Sequence, residues 1–208
     1  TIRSRIRDIC SRVPANNVIL VGGGIGHLSA WLFDMWHSDQ LEENIVTKPK
    51  SFTIIEEGGK FSIIINRPIS RYDADSWAKV IVKPWPEIVA ESSSWFASNA
   101  ASSDATPFLS IPLPVDLMVI DLPEDERIDA LNSSFELLSP GGIIIILEPE
   151  VPTGDVGELE SGKDMSKAQE KVSRFNRWIS SVRSFSQDNS LGFVELTGGT
   201  LVVLRRSI

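Results

Sequence analysis

Residues 17–26 read NVILVGGGIG, an apolar, largely β-branched run that passes directly into a turn with glycine at positions 22, 23, 24 and 26. Such a run suits a buried strand. The segment after it, 27–38, carries Leu28, Trp31, Leu32 and Met35 at helical spacing. A strand, a glycine turn and a helix in succession bring backbone N–H groups and a helix start to the carboxyl edge of a parallel sheet. Ligands of doubly wound sheets bind at that edge. Glycines suit the turn because a Cβ would hold a nucleotide or amino-acid moiety away from the backbone. The spacing is Gly22-x-Gly24-x-Gly26. A dinucleotide fingerprint, G-x-G-x-x-G/A, would need a small third residue where His27 or Ser29 stands, so an NAD site fits poorly.

Short β-branched runs alternate with helix-length segments along the rest of the chain, as βαβ units of a mainly parallel sheet require. Residues 51–55 (SFTII) are expected as the second strand, with a helix to about Tyr72. Residues 79–83 (KVIVK) are the third strand, broken by Pro84 and Pro86, with a helix over 87–100. Residues 115–120 (VDLMVI) are the fourth strand, ending at Asp121, and a helix covers 124–138. Ser139-Pro140-Gly141-Gly142 is read as a turn before a fifth strand at 143–147. A later helix presents Val172, Phe175, Trp178, Ile179 and Val182 on one face. Strands at 192–196 and 200–204, joined across Gly198-Gly199, form an antiparallel hairpin at the sheet edge. The class is α/β, doubly wound, with helices on both faces.

The 208 residues suit one domain, 1–208, with an N-terminal helix at 1–14 and a candidate lid loop at 148–165. The connection at 39–50 is longer than usual for such units. The first ten residues, TIRSRIRDIC, lack the apolar core of a signal peptide, and the missing initial Met suggests a trimmed start. The longest aliphatic run, 143–147, is far short of the roughly 20 residues a membrane span needs. A single cysteine, Cys10, excludes an intramolecular disulfide and a thiolate metal cluster. A cytoplasmic setting is expected, with no membrane partner. The net charge of −8 argues against nucleic acid, which wants a concentrated basic face. The one basic cluster, Arg3, Arg5, Arg7 and Arg12, alternates with Ile2, Ile6 and Ile9 and reads as the wet side of an amphipathic helix.

A carboxylate at the end of the second strand is well placed to accept the two hydroxyls of a ribose. Glu56 and Glu57 both stand there, and Glu56, the first after the strand, is preferred. The alternative is a pair of solvated acids at a helix start.

VILVGGGIGHLSAWL, FTIIEE, AKVIVKPWPEIV, VDLMVIDLPEDE and LLSPGGIIIILEPE fall in an order and approximate spacing that resembles the class I S-adenosylmethionine-dependent methyltransferases, small-molecule O-methyltransferases among them. The resemblance spans about residues 17–149. It implies a seven-stranded sheet with a C-terminal antiparallel hairpin, and S-adenosylmethionine as cofactor. It also implies methyl transfer to an oxygen or nitrogen of a small-molecule acceptor. Carried across, Gly22, Gly24 and Gly26 would line the methionine and ribose end, and Glu56 would hold the ribose. Asp121 would stand beside the methyl-transfer site as the catalytic candidate. Trp85 would flank the adenine; a core tryptophan is the alternative. Where many family members carry an acid near the adenine amino group, this chain has Pro84, which offers neither a side-chain acceptor nor a backbone donor.

Asp121 could orient a nucleophile, bind Mg²⁺ or cap a helix. Catechol-type members pair such an Asp with an Asp-Asn after the fifth strand; Glu148-Pro149 stands there instead, so no metal is expected. His27 and His37 sit near the two ends of one helix, with no Ser-His-Asp order or H-x-x-H spacing to support a hydrolase or zinc site. Two rival readings are a methyltransferase-fold binding or scaffold protein without activity, and an enzyme of another Rossmann type using NAD or a nucleotide sugar. A homodimer is admitted.

Overall fold

The computed structural model describes residues 1–38, 46–99, 109–153 and 166–208. The chain runs α1 (Ile2–Cys10), β1 (Asn17–Val21), α2 (His27–Ser38), β2 (Ser51–Ile55), α3 (Gly59–Arg71), β3 (Ala78–Ile81), α4 (Trp85–Asn99), β4 (Val115–Ile120), α5 (Arg127–Ser134), β5 (Leu138–Leu147), α6 (Lys167–Asp188), β6 (Ser190–Leu196) and β7 (Gly199–Arg205). Seven strands form one sheet in the order β3-β2-β1-β4-β5-β7-β6. The pairs among β1 to β5 are parallel, and β7 is antiparallel to both β5 and β6. The doubly wound sheet with its C-terminal hairpin is the fold expected from the sequence.

Alternation along each strand feeds two apolar layers. Val18, Leu20, Phe52, Ile54, Leu117 and Val119 point to the side covered by α1, α2 and α3. Ile19, Val21, Met118, Ile120, Ile144 and Ile146 point to the side covered by α4, α5 and α6. Trp178 of α6 is fully buried in the second layer, and its Nε1–H donates to Glu148 Oε1 at 3.1 Å. Trp95, in contrast, stays half-buried on α4. In the first layer Cys10 closes α1 against the core, and burial pushes its thiol up to about 12, only partly offset by a backbone hydrogen bond.

α1 ends at Cys10 rather than 14 and β6 begins at Ser190 rather than 192, and four further boundaries differ from those read in the sequence. β3 is Ala78–Ile81 rather than 79–83, because its ladder with β2 ends where Ile55 does, opposite Ile81. α4 starts at Trp85, not 87. Pro86 lies in its first turn, where a missing N–H is harmless. Of the helix expected over 124–138, only Arg127–Ser134 is α-helical, followed by a 3₁₀ turn over Phe135–Leu137. The fourth is Ser139-Pro140-Gly141-Gly142, which lies inside β5 instead of preceding it. Val115 pairs with Leu138 and Leu117 with Ile143, so the extra residues bulge out of the ladder, with Gly141 at φ 78°. Parts of three expected connections, residues 39–45, 100–108 and 154–165, lie outside the described residues; the last includes most of the candidate lid.

Candidate functional site

The strand order reverses between β1 and β4, and a doubly wound sheet opens a crevice at such a point. Val21 and Asp121 mark its two sides, and the Asp121 N–H still donates to the Val21 carbonyl at 2.8 Å. Above them lies a cavity of ≈ 710 Å³, within the roughly 300–1,000 Å³ of small-molecule sites. Its wall includes Gly22, Gly24, Glu56, Trp85 and Asp121, so the fold brings five of the six residues singled out in the sequence to one place. Gly26 is not part of that wall.

The glycines divide the work. A Cβ on Gly22 would sit 2.4 Å from the Asp121 carbonyl oxygen, and one on Gly23 would sit 2.6 Å from Ile65 Cδ1. Both are required by the protein's own packing. Gly26, at φ +81°, turns the chain into α2, and its missing side chain would face Ile65 and Ser29. Of the four glycines in this turn only Gly24, at φ +50°, has open space where its side chain would be. The bare surface that a ligand can reach is therefore at Gly24.

Glu56 leaves the end of β2 and points into the crevice. Its Oε2 accepts the Gly24 N–H at 2.6 Å and its Oε1 accepts the Gly58 N–H at 2.8 Å. The carboxylate thus holds the two loops at one fixed separation and keeps spare lone pairs for further donors. Trp85 is 4% exposed at the start of α4, and its buried Nε1 has no hydrogen-bond partner among the described residues. Pro84 precedes it and supplies no side-chain acceptor.

Asp121 opens onto the cavity, but the surrounding walls remove much of its water. Burial pushes its carboxyl above the ordinary aspartate range, while the guanidiniums of Arg3 and Arg127 pull it back down. Arg127 is itself anchored, its Nε–H donating to the Leu122 carbonyl at 2.9 Å. Across the cavity, Glu126 is raised by burial and by the like charges of Asp125 and Glu57. Among the described residues six side-chain carboxylates line the wall, from Glu56, Glu57, Asp121, Asp125, Glu126 and Asp129, and no Lys, Arg or His does. Sequence reasoning named three of these acids at strand ends, Glu56, Glu57 and Asp121, and preferred Glu56 of the first two; Asp125, Glu126 and Asp129 lie in or beside α5 and join them only through the folding of the chain.

His27 and His37 are both exposed, and neither lines the cavity. Among the described residues no cluster of three or more His, Cys, Asp or Glu is arranged to hold a metal ion, and no helix is long and apolar enough to cross a membrane.

No protein-family model and no curated protein matches the chain. Solved structures do. The O-methyltransferase TomG from Streptomyces achromogenes, in complex with S-adenosylmethionine, superposes with TM-score 0.62 at 13% identity, covering 100% of this chain and 80% of that one. An O-methyltransferase from Bacillus cereus, in complex with S-adenosylhomocysteine, gives 0.58 at 16%, covering 99% and 79%. An rRNA methylase from Streptococcus thermophilus gives 0.58 at 11%, covering 98% and 95%. The chain has the fold of the class I S-adenosylmethionine-dependent methyltransferases.

Proposed function

We propose that the protein, acting as one domain, is a methyltransferase that moves the methyl group of S-adenosylmethionine to an oxygen or nitrogen of a small molecule. The observation that carries this reading is the open face of Gly24 beside the Glu56 carboxylate, in a cavity at the reversal of strand order. Bound there, the cofactor would supply an electrophilic methyl on a sulfonium, and the protein's task is alignment and exclusion of water. Glu56 would accept the ribose hydroxyls and Gly22 and Gly24 would let the adenosyl unit lie on the backbone. The Trp85 side chain would form one wall of the base pocket, and Asp121 would orient the acceptor at the end of β4. The carboxylate-lined wall suits a cationic sulfonium and repels anionic acceptors, and with the net charge of −8 it speaks for a small molecule over RNA. A cytoplasmic enzyme is the setting this reading takes.

Titration with S-adenosylhomocysteine and with NADH tests it. Binding of the first and not the second, lost in Glu56→Ala, is expected; NADH binding, or no effect of Glu56→Ala, would overturn it. Pro84 favours a second reading, a binding protein that keeps the cofactor fold without transfer. Cofactor binding without turnover across oxygen and nitrogen acceptors would mark that case.

A further inference from the structure

Among the described residues every charged side chain that lines the cavity is an acid, so none of these side chains answers a ligand carboxylate. S-adenosylmethionine ends in an amino acid, which carries both an ammonium and a carboxylate. We infer that Arg3 holds that carboxylate, an assignment that rests on the cofactor reading above.

The placement follows from α1. Ile6 and Cys10 anchor the helix in the apolar layer under α2. At its first turn the helix reaches the carboxyl edge of the sheet: a methyl on Gly198, in the β6–β7 turn, would lie 3.9 Å from Ile2 Cδ1. α1 and α2 both run away from that edge. One helical turn further along, Arg7 Nη2 stands 3.9 Å from Asp34 Oδ2 of α2. Stepping back four residues on each helix brings Arg3 to the level of Ala30, in the first turn of α2, which the glycine turn feeds. Asp121, at the end of β4 on the same edge, feels the charge of Arg3.

Arg3 is exposed and makes no hydrogen bond or ion pair within the described chain, unlike Arg7 of the same helix, which pairs with Asp34. A free guanidinium fork matches a carboxylate with two parallel hydrogen bonds. Asp121 beside it offers the complementary charge for the ammonium. Together the two side chains would read the two ends of an amino-acid zwitterion.

The test compares S-adenosylhomocysteine with 5′-methylthioadenosine, which keeps the adenosyl thioether and lacks the amino acid, by calorimetric titration of the full chain. In Arg3→Gln, affinity for the homocysteine ligand is expected to fall about 10–100-fold, the range for a charged hydrogen-bonded contact, while methylthioadenosine binding stays as in wild type. Arg3→Lys should recover part of the loss. Arg5→Gln, on the outer side of α1, should change neither ligand. Unchanged S-adenosylhomocysteine binding in Arg3→Gln, or an equal loss for both ligands, overturns the assignment while leaving the cofactor reading standing. A wild-type protein that binds neither ligand overturns the cofactor reading, and this assignment with it.

Discussion

Glu56 Oε2 lies 2.6 Å from the amide nitrogen of Gly24, thirty-two positions earlier in the chain. With Oε1 on the Gly58 N–H, one side chain fastens the turn after β1 to the turn after β2. Each bond to an ionised acceptor is worth about 1.5–3 kcal/mol when shielded and less at this open crevice. The same carboxylate is therefore both the strut of the crevice and its candidate sugar contact, which sets the conditions for separating fold from binding by mutation.

The glycines offer that separation. Gly22→Ala combines φ +90° with a contact of 2.4 Å to the Asp121 carbonyl, so it should destabilise the fold by roughly 2–4 kcal/mol. Gly24→Ala meets nothing in the chain and bears only the left-handed backbone penalty of about 1 kcal/mol. Its methyl group would occupy the ligand's approach, so S-adenosylhomocysteine affinity should fall at least about tenfold. Urea denaturation and titration of both variants would check this; equal stability losses would contradict it.

Asp121 predicts a pH signature. Its folded carboxyl is raised, chiefly by burial, so the folded state resists ionising it. Below the unfolded value both states are protonated and the residue makes no difference. As pH rises through the unfolded value and then the raised folded one, the unfolded chain loses its proton first and stability drops. Asp121→Asn should therefore melt at a higher temperature than wild type near pH 7 and at the same temperature near pH 3. A gap that stays constant between those pH values would refute burial as the cause.

Trp178 should behave as a supporting pillar. Trp178→Phe removes the donor to Glu148 Oε1 and leaves a small void, a loss of about 1–3 kcal/mol. Trp178→Ala should lose about 3–5 kcal/mol by opening a cavity in the layer under α6. Denaturant midpoints would show the graded effect; a Phe variant as stable as wild type would mean the indole hydrogen bond contributes nothing.

β1, β2 and β4 were legible to the residue because central parallel strands are continuous apolar runs bounded by polar or glycine positions. The start of β5 was not, since Ser-Pro-Gly-Gly carries turn chemistry and only the pairing of Val115 with Leu138 keeps it in the sheet. That the glycine turn, Glu56 and Asp121 meet at one cavity could be read because strand ends in this topology converge by construction. The place of Arg3 at the carboxyl edge of the sheet could not be read: it belongs to a helix whose docking depends on where the β6–β7 turn lies, nearly two hundred residues away. Gly26 shows the opposite limit, a glycine kept for chain direction that looks in sequence like its neighbour at the cavity.

The buried Cys10 has a practical consequence. It is the chain's sole thiol, held protonated and sealed beneath the helix that carries Arg3. The thiolate is the form that alkylating reagents attack, so the native protein should be silent toward them and labelling should begin only when α1 lifts from the sheet. A cysteine with no chemistry of its own thus becomes a built-in clock for the detachment of the protein's first helix.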